Sequence, residues 1–319
     1  MTKANNGKIV ITGAAGLVGQ NLIPRLTAKG FTEIVGIDKH PTNVKILEKY
    51  HPTIRVLNQD LVERSNNGVS GWETELAGCE ALVIGHAQIG GKDPAEYVRN
   101  NVVATERLLE AAVRHKVPYV VNISSSVVNS LAIDDYTETK KAQEALVAAS
   151  GIKQVVVRPT LMFGWFDRKH VGWLARFMQR VPVFPIPGSG KFLRQPLYVA
   201  DFCDVIVSSI LNETTGAYNI TGQERIDYID LIRAVKRATG AKAHIQKIPY
   251  KLFSTLLQVN ALFDKNPTFT VGQLKALVTP DVFEVIDWPG IFGVRATPLQ
   301  QALDVTFRDP VYSQVALDF

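Results

Sequence analysis

Short β-branched runs alternate with helical stretches through the first half of the chain. KIVITG (8–13), EIVGID (33–38), IRVLNQ (54–59), ALVIGHA (81–87), YVVNISS (119–125) and QVVVRPT (154–160) are nearly continuous apolar strands. The segments between them, among them AEYVRNNVVATERLLEAAVRH and YTETKKAQEALVAAS, carry helical periodicity. Strands without polar alternation are covered on both faces, so the pattern predicts a parallel sheet between two helical layers: a doubly wound, Rossmann-like α/β domain over residues 1–165. After Arg158 and Pro159 the pattern loosens into Gly/Pro-rich text, FGWFDRKHVGW and PVFPIPGSGKFLRQP. A strand and helix near 196–212 return to the first domain, and 166–319 is otherwise expected to form a smaller region closing over the sheet's carboxyl edge, where ligands of open α/β sheets bind. The apolar segment YKLFSTLLQVNALF (250–263) predicts a helix. It would suit a substrate cover or a membrane surface, but core packing is the expected use.

Composition narrows the function. The 319 residues are 46% hydrophobic and 20% charged, an ordinary globular balance. No apolar run approaches the roughly 20 residues that span a bilayer, and MTKANNGKIVITG enters a strand without a signal-peptide core, so a cytoplasmic location is expected. Cys79 and Cys203 have neither disulfide-framework nor metal-ligand spacing and read as buried thiols. The net charge of +5 suits an anionic small molecule. Lys and Arg look scattered, without the stripe or aromatic platform of a nucleic-acid binder, so neither a nucleic-acid nor a membrane partner is expected.

Gly13, Gly16 and Gly19 directly follow the first strand and open a helix. Glycine lets a pyrophosphate approach bare backbone, and the helix N-terminus offers unpaired N–H groups to it. The second strand ends in Asp38, where a carboxylate accepts from an adenosine ribose diol and repels a 2′-phosphate, favouring NAD over NADP; Lys39 and His40 soften that discrimination. Pro24 sits awkwardly inside the following helix, at up to about 3 kcal/mol.

Tyr136 and Lys140 share a helix face at i, i+4 spacing. An ammonium beside a phenol lowers its pKa, which would let tyrosine take a proton from an alcohol as hydride leaves the carbon. The NISSSVVNS segment offers hydroxyls at the preceding strand's carboxyl end. Alone, each element has a plain alternative: a tyrosine and a lysine on a wet helix, or serines capping a turn. Their order along the chain favours a site.

Together these motifs resemble the extended short-chain dehydrogenase/reductases, and within them the NAD-dependent nucleotide-sugar epimerase/dehydratase branch, over most of residues 7–222. TGAAGLVG is similar to the family's TGxxGxxG loop, NQDLVE to its adenine-side segment, NNVVATERLLEAA to its Asn-containing helix, and YTETK to its Tyr-Lys motif. The resemblance implies a cofactor set of Gly13, Ala15, Gly16, Leu17, Val18, Gly19, Asp38, Lys39, Asp60, Leu61, His86, Ala87, Asn101, Ile123, Tyr136, Lys140, Pro159 and Thr160. The catalytic serine falls on Ser125, with Ser124 or Ser126 reached if the register slips. Substrate contacts fall on Ser125, Ser126 and, for a nucleotide-sugar diphosphate, Arg194. No metal is implied, and a homodimer paired through the two helices named above is.

Departures qualify the resemblance. Asn129 and Ser130 replace the family's Tyr-Gly, and the loop from Ser125 to Tyr136 is short. The Asp-Glu pair of sugar dehydratases is here Ser126 and Val127, and valine cannot transfer a proton, which disfavours dehydration. The Cys and His that serve 3,5-epimerisation in related reductases have no counterpart, since Cys79 and Cys203 lie elsewhere, and His170 reads as solvent-facing. The expected activity is oxidation and reduction at one sugar carbinol, with C4 epimerisation foremost. The alternatives are a net dehydrogenase or reductase of a steroid-like or isoprenoid alcohol and a non-catalytic NAD-binding scaffold.

Overall fold

The structure is a computed structural model that describes residues 7–63, 70–129, 134–263, 270–278 and 283–318. Seven parallel strands form its main sheet: β1 (Lys8–Thr12), β2 (Ile34–Asp38), β3 (Arg55–Asn58), β4 (Cys79–Ile84), β5 (Tyr119–Ile123), β6 (Lys153–Pro159) and β7 (Gly216–Ile220). Their order is β7-β6-β5-β4-β1-β2-β3. The chain winds outward from β1 through β2 and β3, then restarts at β4 on the other side. The carboxyl ends of β1 and β4 therefore flank the switch point, where this topology opens a crevice.

Buried side chains alternate between the faces, as a doubly covered sheet requires. On one face Ile9, Ile11, Val83, Val121 and Val157 pack with α1 (Leu17–Ala28) and with the helix Val199–Asn212. On the other, Val10, Val35, Leu82, Ile84 and Val120 pack with Leu108, Leu109 and Val147. α1 continues through Pro24; Leu22, Ile23 and Leu26 around it are 1% exposed or less, and this burial outweighs the missing backbone bond.

The remaining major helices are α2 (Pro41–Tyr50), α3 (Ala104–Arg114), α4 (Asp135–Ala149), α5 (His170–Arg180), α6 (Val199–Asn212), α7 (Tyr228–Thr239), α8 (Tyr250–Phe263), α9 (Val271–Val278) and α10 (Leu299–Arg308). A π-helical turn, Val98–Val103, leads into α3. A separate core joins Phe163, Val171, Phe184, Ile232, Val235 and Leu303, so the loosened second half has an apolar centre of its own. Near 196–212 the helix is present, but Leu197–Tyr198 pairs with Met162–Phe163 outside the main sheet; the strand that rejoins the sheet is β7.

One expectation is overturned. α8 forms where predicted but is not core: Leu252, Leu256 and Val259 are 53, 50 and 46% exposed. The second core is already closed by α5, α7 and α10, which leaves α8 on its outside. Ser130 and residues 131–133 of the short loop lie outside the described residues.

Candidate active site

The glycine loop is shaped by close approach. Gly13 takes φ +66°, and a Cβ there would stand 2.6 Å from the Gly85 carbonyl oxygen and 2.7 Å from the His86 nitrogen. At Gly19 a Cβ would lie 2.2 Å from the Ala14 oxygen, so α1 packs on its own loop only without a side chain. Gly16 differs: its Cβ would meet only the Gly13 oxygen, at 3.2 Å, and would otherwise fill the open side of the cradle. No side-chain cap and no acidic residue occupies the first turn of α1. A bare helix N-terminus with an open glycine face suits an anionic diphosphate, so these residues fit a dinucleotide.

Asp38 anchors the loop. Its Oδ2 accepts from the Ala15 N–H at 3.0 Å and its Oδ1 from the His40 N–H at 2.9 Å; burial raises its pKa, against the pull of those bonds. Beside it Lys39 donates to Asn100 Oδ1 at 2.8 Å, and Arg99 pairs with Asp60 at 2.8 Å. Burial alone would raise the Asp60 carboxyl, but the Val62 N–H and Arg99 hold it below its ordinary value. Arg99 and Asn100 come from the π turn, a helix irregularity that often marks functional positions. They belong to the adenine-side cluster without having been singled out in the sequence. Leu61 is 7% exposed within the sheet core.

Two expected cofactor contacts are turned inward. The His86 ring bonds Thr12 Oγ1 through Nδ1 (2.8 Å) and Thr105 Oγ1 through Nε2 (3.1 Å); burial drops its pKa to about 3, so the imidazole is neutral and only the His86 backbone borders the glycine loop. Asn101 is fully buried. Its Oδ1 accepts from the Gln88 N–H at 2.6 Å, and its Nδ2 donates to the Gln88 carbonyl and to Thr139 Oγ1. Asn101 is thus a brace between the loop after β4 and α4. Ala87 is exposed beside it.

At the end of β5 the three serines differ in their surroundings. The Ser125 hydroxyl acts on the Tyr136 phenol, lowering its pKa, whereas Ser124 donates at 2.5 Å to Glu144 Oε1 and Ser126 is buried at the head of the turn Ser126–Asn129. α4 starts where Asp134 Oδ1 accepts from the Thr137 N–H at 2.7 Å, an ordinary N-cap. Its face then presents Tyr136, Lys140 and Glu144 at successive i+4 positions. Lys140, 1% exposed, donates to the Ile123 carbonyl at 2.8 Å and to Gln143 Oε1. Gln143 Nε2 donates in turn to Thr105 Oγ1 at 2.8 Å, so one polar chain runs from Lys140 through Gln143, Thr105 and His86 to Thr12.

Here the electrostatic expectation needs correction. Burial raises the Tyr136 pKa, the nearby Ser125 hydroxyl lowers it in part, and Asp134 raises it further; Lys140 does not offset them. The lysine is itself so desolvated that its pKa falls to about 7, and its hydrogens are aimed at Ile123 and Gln143 rather than at the phenol.

Thr160 Oγ1 donates to the Gln195 carbonyl at 3.0 Å, which ties the end of β6 and Pro159 to the second region. Arg194 donates to the Leu193 and Leu277 carbonyls and lies over the Phe192 ring at 5.5 Å. His170 is exposed, and both cysteines are buried thiols pushed up to about 12 by burial. Glu144 and Arg158 were missed in the sequence, although the i+4 step from Lys140 to Glu144 points at the first.

A glycine cradle at a sheet switch point, with a serine, tyrosine and lysine at the neighbouring strand end, defines a dinucleotide-dependent enzyme site. The chain belongs to the NAD dependent epimerase/dehydratase family, whose sequence model matches residues 9–221. It is similar to a dTDP-glucose 4,6-dehydratase of Streptomyces niveus (25% identity, covering 85% of this chain and 91% of that one). A ceramide reductase of Caulobacter vibrioides is also similar (22%, covering 76% and 74%). The fold matches a crystal structure of UDP-glucuronic acid 4-epimerase from Bacillus cereus in complex with NAD, with TM-score 0.69 and 22% identity over 94% of this chain and 97% of that one.

Proposed function

We propose that the enzyme binds NAD and oxidises and re-reduces one carbinol of a nucleotide-diphosphate sugar, with C4 epimerisation as the outcome. The observation that carries this reading is the placement of Ser125 just past the carboxyl end of β5 and of Tyr136 on α4, one helical turn before the buried Lys140. Tyr136 would take the hydroxyl proton as the phenolate, after releasing its own proton to solvent, a loss that the positive nicotinamide ring of bound NAD would favour, and Ser125 would hold the oxygen. The glycine loop would hold the diphosphate, Asp38 the adenosine ribose and Lys140 the nicotinamide ribose of NAD, which would supply the hydride chemistry when bound. Arg194, which pairs with Ile226 where Leu193–Arg194 runs antiparallel to Ile226–Asp227, would meet the sugar diphosphate. Ser126 and Val127 lack the acid needed for loss of water.

Incubating the protein with candidate nucleotide sugars, without added cofactor, tests the reading. Interconversion of C4 epimers, lowered by about 10²–10⁴ in Tyr136→Phe, is the expected result; wild-type turnover in that variant rejects it. A second reading, net reduction of an apolar ketone, draws on the exposed apolar face of α8 and on the likeness to a ceramide reductase. Stoichiometric NADH consumption selects it. We also propose a homodimer packed through α3, the π turn before it, and α4, in keeping with the outward Val98 in that turn and Val113 in α3, with light scattering as the check.

A further inference from the structure

We infer that α8, together with the basic strand and helix that precede it, docks on the surface of an anionic lipid bilayer. This goes beyond the proposed reaction and holds whichever substrate the site takes.

Charge is the first observation. From Leu231 to Asn260 the chain carries Arg233, Lys236, Arg237, Lys242, Lys247 and Lys251 and not one Asp or Glu. These six cations exceed the +5 of the entire chain, so the rest of the protein is close to neutral and the positive field is local. The fold sets several of these cations side by side. α7 and the strand His244–Ile248 enclose a groove of about 430 Å³ lined by Ile229, Arg233, Lys236, His244, Gln246 and Lys247. Arg233 is paired to Asp230 and Arg237 bonds Gln300; Lys236, Lys242, Lys247 and Lys251 are in no ion pair among the described residues.

Apolar exposure is the second. α8 begins two residues after that strand ends, and its Leu252, Leu256 and Val259 form one stripe at i, i+4, i+7 that faces solvent. Lys251 is the only charge in the helix. Soluble surfaces scatter such side chains singly, and a contiguous stripe marks something that covers it. A nucleic acid would answer the cations and leave the leucines wet. An anionic bilayer interface answers both, taking apolar side chains at the acyl boundary and lysines among the headgroups. The helix is 14 residues long, against the roughly 20 that span a bilayer, and no described helix is long and apolar enough to cross a membrane. It therefore lies along the surface. The docked face is also tied to the candidate site, since α9 packs on α8 and its Leu277 carbonyl holds Arg194.

The test is co-sedimentation of the full-length chain with vesicles of phosphatidylcholine alone and of phosphatidylcholine mixed with phosphatidylglycerol. Binding to the mixed vesicles, reduced by salt and weak on the neutral ones, is expected. The triple variant Leu252→Ser, Leu256→Ser, Val259→Ser should partition at least about tenfold less. Lys236→Gln, Lys247→Gln, Lys251→Gln should lose on the order of a hundredfold at low salt. All six positions lie on the surface or partly so, and unchanged circular dichroism and melting confirm that each variant is folded. Wild-type protein left in the supernatant with anionic vesicles overturns the inference, as does a serine variant that binds like wild type. A dimer that the serine variant abolishes, with no vesicle binding, reassigns the face to a second copy of the chain.

Discussion

Glu144 grips Arg158 through two parallel bonds, Oε1 to Nε at 2.9 Å and Oε2 to Nη2 at 2.6 Å, while the same Oε1 accepts the Ser124 hydroxyl. One carboxylate thereby ties α4 to the ends of β5 and β6, next to Ser125 and Pro159. Burial alone would raise its pKa, but the Arg158 and Ser124 bonds and the nearby Lys140 hold it below the ordinary carboxylate value. Because the folded pKa lies below the unfolded one, the contribution is complete above the unfolded value and is lost as pH falls through the folded one. Glu144→Gln should cost about 1–3 kcal/mol at neutral pH, and urea melts should show that difference shrinking toward acid pH. A constant difference across the range would rule the linkage out.

The adjacent serines should separate by readout. Ser125 lowers the phenol's pKa, and Ser124 donates to Glu144. Ser125→Ala is expected to lower kcat by about 10²–10³, as loss of one oxyanion donor does, with little change in melting. Ser124→Ala should lose about 1 kcal/mol of stability and retain most of its turnover. The reverse result would move the catalytic register by one residue.

What the sequence disclosed and what it hid follow from the range of the forces involved. The sheet was legible because burial on both faces leaves unbroken apolar strands, and the glycine loop because close backbone approach excludes a Cβ at Gly13 and Gly19. Polar partners were hidden where they depend on contacts distant in sequence. Asn101 meets Thr139 only once the π turn packs on α4, and His86 meets Thr105 only once α3 packs beside the end of β4, so neither bond could be read from the sequence. The fate of α8 was equally hidden, because its apolar residues look the same in a core or on a surface until the other helices have filled the core.

Asp38 should govern both cofactor affinity and choice. Its carboxylate fixes the Ala15 N–H in the loop and stands where the adenosine ribose would lie. Asp38→Ala should weaken NAD binding by about 10–100-fold, the worth of one to two hydrogen bonds to a charged group, and should raise the NADP-to-NAD preference by removing the repulsion of a 2′-phosphate. Titrating both cofactors calorimetrically checks the ratio; equal losses for the two would leave Asp38 a loop anchor only.

Lys140 offers a sharper test, because function and stability oppose each other there. It is 1% exposed with two acceptors, the Ile123 carbonyl and Gln143 Oε1, and a neutral amine can satisfy both with its two N–H groups. Desolvation lowers its pKa from 10.5 to about 7, with Glu144 pulling the other way. Between those values the unfolded chain binds a proton that the folded chain does not, so stability rises with pH from about 7 to about 10.5 and is flat in this contribution below 7, where the buried ammonium is at its most costly. Lys140→Met removes that charge. The variant should therefore be more stable than wild type near pH 6–7, on the order of a few kcal/mol, with the gap closing as pH approaches 10, while its turnover collapses. Melts across that range together with kcat decide it: a variant that is less stable at neutral pH would mean that the ammonium is held charged and well paired, and the desolvation account of this lysine would be wrong.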